Sequence, residues 1–352
     1  MRIASRVILT AFVAGLLGAA PVVADESPAA REPATLAPAS LTLRYRPSRQ
    51  WRYTLPAERY VRVGGAIDFA KVGGARFVTE VEGAGLKVDT DGDGVTDVKI
   101  AEKSGYVRLR TKAGFDYSVR LRNTGSGWAY AASGARVATV GGVQIRLLDQ
   151  DGDGRYDGYG RDAMIVGSSR AASFLSKVVN IGGALHAIEV AADGTTLKHA
   201  PYRGPTGRID LVRRWRAEAR LQSAVLRSED GAWSFDLASH ADGLAVPAGR
   251  YLLHGGTLGL GDSQVRFRRG KSAPIAVAAD ATAKVQGGGP LEAEFAYQRQ
   301  GDQLILSPEA LRWFGRAGEE YYGWAPFGNS PEFTITDVHA KKEVAKAIFT
   351  GC

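Results

Sequence analysis

Cysteine is almost missing from this chain. The 352 residues contain one, Cys352, so no intramolecular disulfide can form, and no thiol follows the N-terminal segment to carry a lipid anchor. Histidine is scarce as well. The five, His186, His199, His240, His254 and His339, form neither His-x-His nor His-Glu-x-x-His, which leaves a zinc hydrolase without sequence support. No Gly-x-Ser-x-Gly elbow, phosphate-cradling P-loop or dinucleotide fingerprint occurs, and the lone cysteine has no catalytic setting. After the first twenty residues no apolar run approaches the roughly 20 residues of a membrane-spanning helix. The formal charge of +8 is spread along the chain without a polybasic tail, so nucleic acid is not expected as a partner. These gaps point away from an enzyme.

What is present begins with an export signal. Arg2 and Arg6 flank the uncharged run Val7 to Ala20, and Val22-Val23-Ala24 offers a cleavage point before Asp25. The expected protein is therefore exported, periplasmic or extracellular, with residues 1–24 removed. Residues 25–40 are rich in alanine, proline and charge and read as a flexible leader.

From Leu41 onward the pattern has period two, in short runs bounded by glycine. Leu41 to Arg46, Tyr106 to Thr111, Tyr117 to Arg122 and Val143 to Leu148 each alternate apolar with polar residues, as half-buried strands do. Their arginines have a plain explanation as the wet face of a sheet. Asp193-Gly194 is a hairpin turn between two further runs. Ser169 to Val179 fits a short helix by spacing, although Val178 and Val179 equally suit a strand. Charged Arg213-Arg-Trp-Arg216 marks a boundary between a β-rich domain over 41–212 and a second over 213–352. In the second, many short strands with Gly and Pro turns predict an immunoglobulin-like or transthyretin-like β-sandwich. The expected fold class is mainly β, an antiparallel β N-terminal domain followed by that sandwich.

Two acidic loops carry the chemistry. Asp89-Thr-Asp-Gly-Asp-Gly-Val-Thr-Asp97 and Asp149-Gln-Asp-Gly-Asp-Gly-Arg-Tyr-Asp157 lie sixty residues apart. Calcium takes six to eight oxygens, which a tight loop supplies when alternate residues point inward. Asp89, Asp91, Asp93 and Asp97 offer side chains in the first loop, and Val95 its carbonyl. Asp149, Asp151, Asp153 and Asp157 do so in the second, with the carbonyl of Arg155. Gly94 and Gly154 sit where each loop turns sharply. Four carboxylates within nine residues repel one another unless a cation joins them. Magnesium, with its small octahedron and retained waters, suits such a loop less well.

These loops resemble the EF-hand-like calcium loops of secreted proteins, such as dockerins and thrombospondin type 3 repeats. The resemblance covers two stretches of about a dozen residues. It implies two Ca2+ sites, but the glutamate that closes an EF-hand loop is replaced here by Ile100 and Gly160. Two residues later Glu102 and Asp162 stand at the same offset in both loops, and they are expected to supply the closing carboxylate. The flanks, Leu86 to Asp89 and Val98 to Ile100, read as strands, so a helix-opening switch is not expected. No nucleophile or general base lies beside either loop, which favours structural calcium.

Two surface features remain. Arg266, Arg268, Arg269 and Lys271, with Arg213, Arg214 and Arg216, could meet a polyanion or simply solvate a strand face. Trp313-Phe314, Tyr321-Tyr322-Gly-Trp324 and Phe327 could fill a core or stack on sugar rings. The expectation is a non-enzymatic calcium-stabilised binding or scaffold module. The alternatives are a polysaccharide- or cell-envelope-binding module using the aromatic segment, and a hydrolase with a dispersed active site.

Overall fold

A computed structural model describes residues 36–73, 75–301, 303–306, 310–325, 332–337 and 339–348. The export signal, Phe327 and Cys352 lie outside these residues. The chain is mainly β, with strands from Ala39–Thr42 to Lys342–Ile348 and mostly antiparallel pairing. Among the described residues no helix is long and apolar enough to cross a membrane.

The alternation read from the sequence becomes inward and outward faces. In Asp116–Asn123 the side chains of Tyr117, Val119 and Leu121 are at most 2% exposed, while Arg120 and Arg122 lie on the opposite face. Burying each large apolar side chain stabilises the fold by about 1.5–3 kcal/mol. The outward arginines are used locally: Arg108 ion-pairs with Asp116, and the Arg122 guanidinium lies 3.5 Å from the Tyr60 ring centre. Leu41 to Arg46 does not form one strand. Leu43 is buried between Ala39–Thr42 and Arg44–Pro47, and the two halves join different sheets. Ala39 and Ser40, at the end of the expected leader, pair with His199 and Lys198.

Ser169 to Val179 is not helical. It holds the short strands Ser173–Phe174 and Val178–Ile181. Ser176 lies between them, its hydroxyl donating to the Val178 carbonyl and accepting from the Val178 N–H. Local serine–backbone bonds and β-branched valines both compete with helix formation.

One hydrophobic core gathers Ile67, Phe69, Phe77, Leu109, Tyr117 and Leu147 with their neighbours. A second gathers Leu226, Tyr251, Leu253 and Phe267, and it already includes Ile209 and Leu211. The strand Thr206–Asp210 pairs with Leu244–Pro247 and Thr282–Lys284. This small sheet shares the second core with the large sheet built on Arg220–Ser228, Gly249–Leu260 and Ser263–Arg268. Two sheets across one core make a sandwich. The halves meet through hydrogen bonds: Lys177 N–H donates to the Ala232 carbonyl at 2.9 Å, and Phe174 N–H to the Ser234 hydroxyl at 3.2 Å.

His186 and His199 lie buried on neighbouring strands, ring centres 5.5 Å apart, and neither nitrogen of His186 has a hydrogen-bond partner. Burial, and then the neighbouring His199, push the His186 imidazole below its ordinary value. The fold therefore holds this ring neutral, while the unfolded chain protonates it below pH about 6.5. Its contribution is complete above that pH and is lost on acidification. The wild-type melting temperature is expected to fall more steeply between pH 7 and 5 than that of His186→Phe. Parallel curves from differential scanning calorimetry would refute this role.

Candidate metal centre

The first acidic loop joins the antiparallel strands Gly85–Val88 and Val98–Ile100, and backbone bonds tie both ends of it to the sheet. Asp89 N–H donates to Val78 O at 2.8 Å and Asp97 N–H to Val88 O at 3.1 Å. Asp89 is fully buried. Its Oδ1 accepts the N–H groups of Asp91 at 3.2 Å and Gly92 at 2.7 Å, and its Oδ2 accepts that of Gly94 at 3.0 Å. The loop thus wraps around its own first carboxylate. Gly92 and Gly94 take positive φ, 78° and 91°, which aims those N–H groups inward at little cost only to glycine.

The second loop repeats this cradle. Asp149 Oδ1 accepts the Gly152 N–H at 2.7 Å, and Oδ2 accepts the Gly154 N–H at 2.6 Å. A further donor reaches Oδ2 from another strand, the Tyr117 hydroxyl at 2.6 Å. Gln150 pins the loop from the side: its Oε1 accepts the Ala57 N–H at 3.1 Å and its Nε2 donates to the Arg161 carbonyl. Tyr117 and Gln150 were missed in the sequence. The period-two pattern places Tyr117 inward but cannot say which loop it meets.

Carboxylate oxygens of Asp89, Asp91 and Asp97 lie within 4.8 Å of one another, as do those of Asp149, Asp151 and Asp153. Each trio can hold a metal ion, so oxygen-rich clusters form in both loops. The trios differ in composition. In the first loop Asp93 is exposed and its Oδ1 accepts the Val95 N–H at 2.8 Å, while the Val95 side chain points to solvent. In the second, Asp157 stands outside the trio and is paired with Arg155 through two hydrogen bonds of 2.9 and 2.6 Å.

The two expected closing acids meet opposite fates. Ile100 pairs with Leu86 and Val98 with Val88, so the strand after the first loop runs away from it. Ala101 Cα comes within 3.7 Å of a Cβ placed on Gly85, and Glu102 follows at that far end of the hairpin, exposed. The three-residue strand Val98–Ile100 alone carries the chain roughly 10 Å from the loop at about 3.3 Å per residue, and Glu102 lies beyond its end. Glu102 is not brought to the loop. Asp162 is. The turn after the second loop folds back, Asp162 N–H donating to Gly158 O at 2.7 Å, and the side chain is 2% exposed. Its Oδ2 accepts the Gly158 N–H at 2.8 Å, but its Oδ1 is buried with no hydrogen-bond partner, as is Asp151 Oδ1.

Burial pushes the Asp162 carboxyl well up, and the charges of Asp149, Asp151 and Asp153 push it further. Asp149 moves the same way, mainly by burial, against the lowering hydrogen bond from Tyr117. Two cationic groups near the cluster are peripheral: Arg161 Nη1 lies 3.7 Å from Asp151 Oδ2 on an exposed side chain, and Arg155 is paired with Asp157. Two buried acids, Asp149 and Asp162, with orphaned oxygens on Asp162 and Asp151, are costly unless a cation satisfies them. The residues present fit an oxygen-coordinated divalent ion.

The chain matches no protein-family model, no curated protein and no solved structure.

Proposed function

We propose that this chain is an exported calcium-binding protein in which two ions stiffen a non-enzymatic binding or scaffold module. The observation that carries this is the second loop. It combines a carboxylate trio, a wrapped first aspartate and the partnerless buried oxygens of Asp151 and Asp162. Calcium is favoured over magnesium because three carboxylates converge in each loop, whereas magnesium is usually held by one or two and retains several waters.

A structural role is favoured by what the second loop touches. The turn Gly158 to Asp162 abuts the other half of the molecule. A Cβ on Gly160 would lie 2.6 Å from Arg227 Nη2 and 3.1 Å from the Gly231 carbonyl. Leu175 N–H donates to the Asp162 carbonyl at 2.7 Å and Gly160 N–H to the Leu175 carbonyl at 3.0 Å. An ion held by Asp162 would fasten this turn, and through it the junction between the two cores.

Titration calorimetry tests the reading. The wild-type chain is expected to take up two calcium ions. Asp91→Ala removes one and Asp151→Ala the other, each leaving the remaining site intact. Absence of heat in millimolar calcium would reject calcium binding altogether.

A second reading rests on the aromatic segment. Phe314 and Tyr321 are buried in the sandwich, whereas Tyr322 and Trp324 are 41% and 42% exposed. Two exposed rings on one strand can stack on sugars of a polysaccharide or cell-envelope component. Substituting both by alanine should abolish polysaccharide pull-down while leaving the melting temperature unchanged; retained pull-down excludes this role.

A further inference from the structure

Between the two cores lies a cleft of about 370 Å³. One wall comes from the first half, where Met164 and Val166 of Ala163–Val166 and the turn Asn180 to Gly183 face it. The other comes from the second half, with Phe235, Asp236, His240 and Leu244. Clefts of this size at the junction of two folded units are where small ligands most often bind.

The cleft is held open from both sides. Phe174 N–H bonds to Ser234 Oγ at 3.2 Å, and Asn180 Nδ2 donates to the Ala245 carbonyl at 3.2 Å, each bond crossing from one half to the other. Gly167 and Gly182 form parts of the rim in positive-φ turns, and a Cβ on either would meet nothing within 4 Å. Turns bare of side chains leave the mouth clear.

Most polar side chains in the lining are already satisfied. Ser173 donates to backbone carbonyls, Ser234 to Leu226 O, Ser169 to Ala171 O, and the Asn180 amide uses both ends. A serine so committed is not an activated nucleophile, and the cleft is not arranged for hydrolysis. Arg208 spends its Nη2 on the carbonyls of Asp242 and Gly243. Three groups of the lining, Asp236, Ser239 and His240, keep free hydrogen-bonding capacity, and all come from the stretch that ends strand Ser234–Asp236. Asp236 accepts the Ala224 N–H at 2.7 Å and the Ala238 N–H at 3.4 Å through Oδ1 alone, with no ion pair among the described residues. The His240 ring, half-buried, makes no hydrogen bond there either. Ser239, between them in sequence, is exposed and equally unengaged.

A carboxyl oxygen, an imidazole and a hydroxyl left free beside apolar walls form a donor and acceptor set for a ligand with several hydroxyls and an apolar face. We propose that this cleft binds a small neutral saccharide, one to two rings in size, with Asp236 and His240 as its hydrogen-bonding anchors. Met164, Val166 and Leu244 would cover the C–H face of the ring. A phosphorylated sugar fits less well, because Asp236 turns an acceptor oxygen toward it and the Arg208 guanidinium is already tied to the Asp242 and Gly243 carbonyls. Burial, which moves the Asp236 carboxyl up to about 7 and the His240 imidazole down, agrees with two groups only partly open to water.

The proposal does not depend on calcium and does not use Trp324. The test is saturation-transfer NMR and titration of the full chain with glucose, N-acetylglucosamine and glucose 6-phosphate. At least one neutral sugar is expected to bind with millimolar or tighter affinity, and the phosphate at least tenfold more weakly. Asp236→Ala should weaken binding tenfold or more. Should that variant unfold, Ser239→Trp, at an exposed position on the rim, should block the cleft with the melting temperature unchanged. Trp324→Ala should leave binding intact. No binding of either neutral sugar, equal binding by folded Ser239→Trp, or loss with Trp324→Ala would each overturn the assignment.

Discussion

Saturating calcium is expected to raise the melting temperature of the wild-type chain by roughly 5–10 °C, and Asp162→Asn is expected to remove much of that rise. Both parts follow from one cluster. A ligand at a hundred times its dissociation constant stabilises the fold that binds it by about 2.7 kcal/mol. For a folding unit of about 150–250 residues, such as the half that holds both loops, each kcal/mol moves the melting temperature by about 2–4 °C. The second loop should supply the larger share, since Asp149 and Asp162 are buried while Asp91 and Asp97 are exposed. Without calcium the sign reverses. Asp162 then places a carboxyl against Asp149 with Oδ1 unpartnered. Asparagine keeps an oxygen for the Gly158 N–H and turns an amide donor toward the neighbouring acids. Asp162→Asn in chelator is therefore expected to melt above the wild type in chelator, and in calcium below the wild type in calcium. Scanning calorimetry in both buffers decides it. A variant that melts lower in both has lost packing rather than a ligand, and the closing role of Asp162 falls. Asp157→Asn is the comparison: its partner is Arg155, and most of the calcium response should persist.

How far the sequence could be read depended on the distance over which each feature is determined. The strands were legible because alternation is local: Tyr117, Val119 and Leu121 must share a face whatever they pack against. The acidic loops were legible for the same reason, the spacing of Asp89, Gly92 and Gly94 being sufficient to wrap the first carboxylate. Partners set by the sheet were not. Glu102 and Asp162 stand at one offset from their loops, yet a strand carries the first away and a turn returns the second. That turn is fixed by contacts with Leu175 and Arg227, far along the chain. Arg155 was read for its carbonyl, while its guanidinium pairs with Asp157, which stands outside the carboxylate trio. The cleft at Asp236 and His240 left no mark in the sequence, since its walls come from segments some seventy residues apart.

The same contrast between the loops sets the other large expected effect, at two glycines that the motif makes equivalent. Gly94 and Gly154 have φ of 91° and 81° and each donates its N–H to the first aspartate of its loop. Alanine at either position pays for a left-handed conformation, about 1 kcal/mol. At Gly94 that is the whole cost, because an added Cβ meets nothing within 4 Å. At Gly154 the Cβ would lie 2.7 Å from Phe69 Cδ1 and 2.8 Å from Val72 Cγ2. Phe69 cannot move aside freely: it is 1% exposed and packs on Tyr117, ring centres 4.7 Å apart, and Tyr117 in turn holds Asp149. Overpacking a core site of this kind costs a further 1–3 kcal/mol. Gly154→Ala is thus expected to destabilise the chain by about 2–4 kcal/mol and to weaken the second metal site. Gly94→Ala should cost about 1 kcal/mol and leave the second site untouched. Urea unfolding with calcium titration of both variants measures the two effects together. Equal losses from the two substitutions would mean that the second loop is not seated on Phe69, and the coupling of that site to the first core would fail with it.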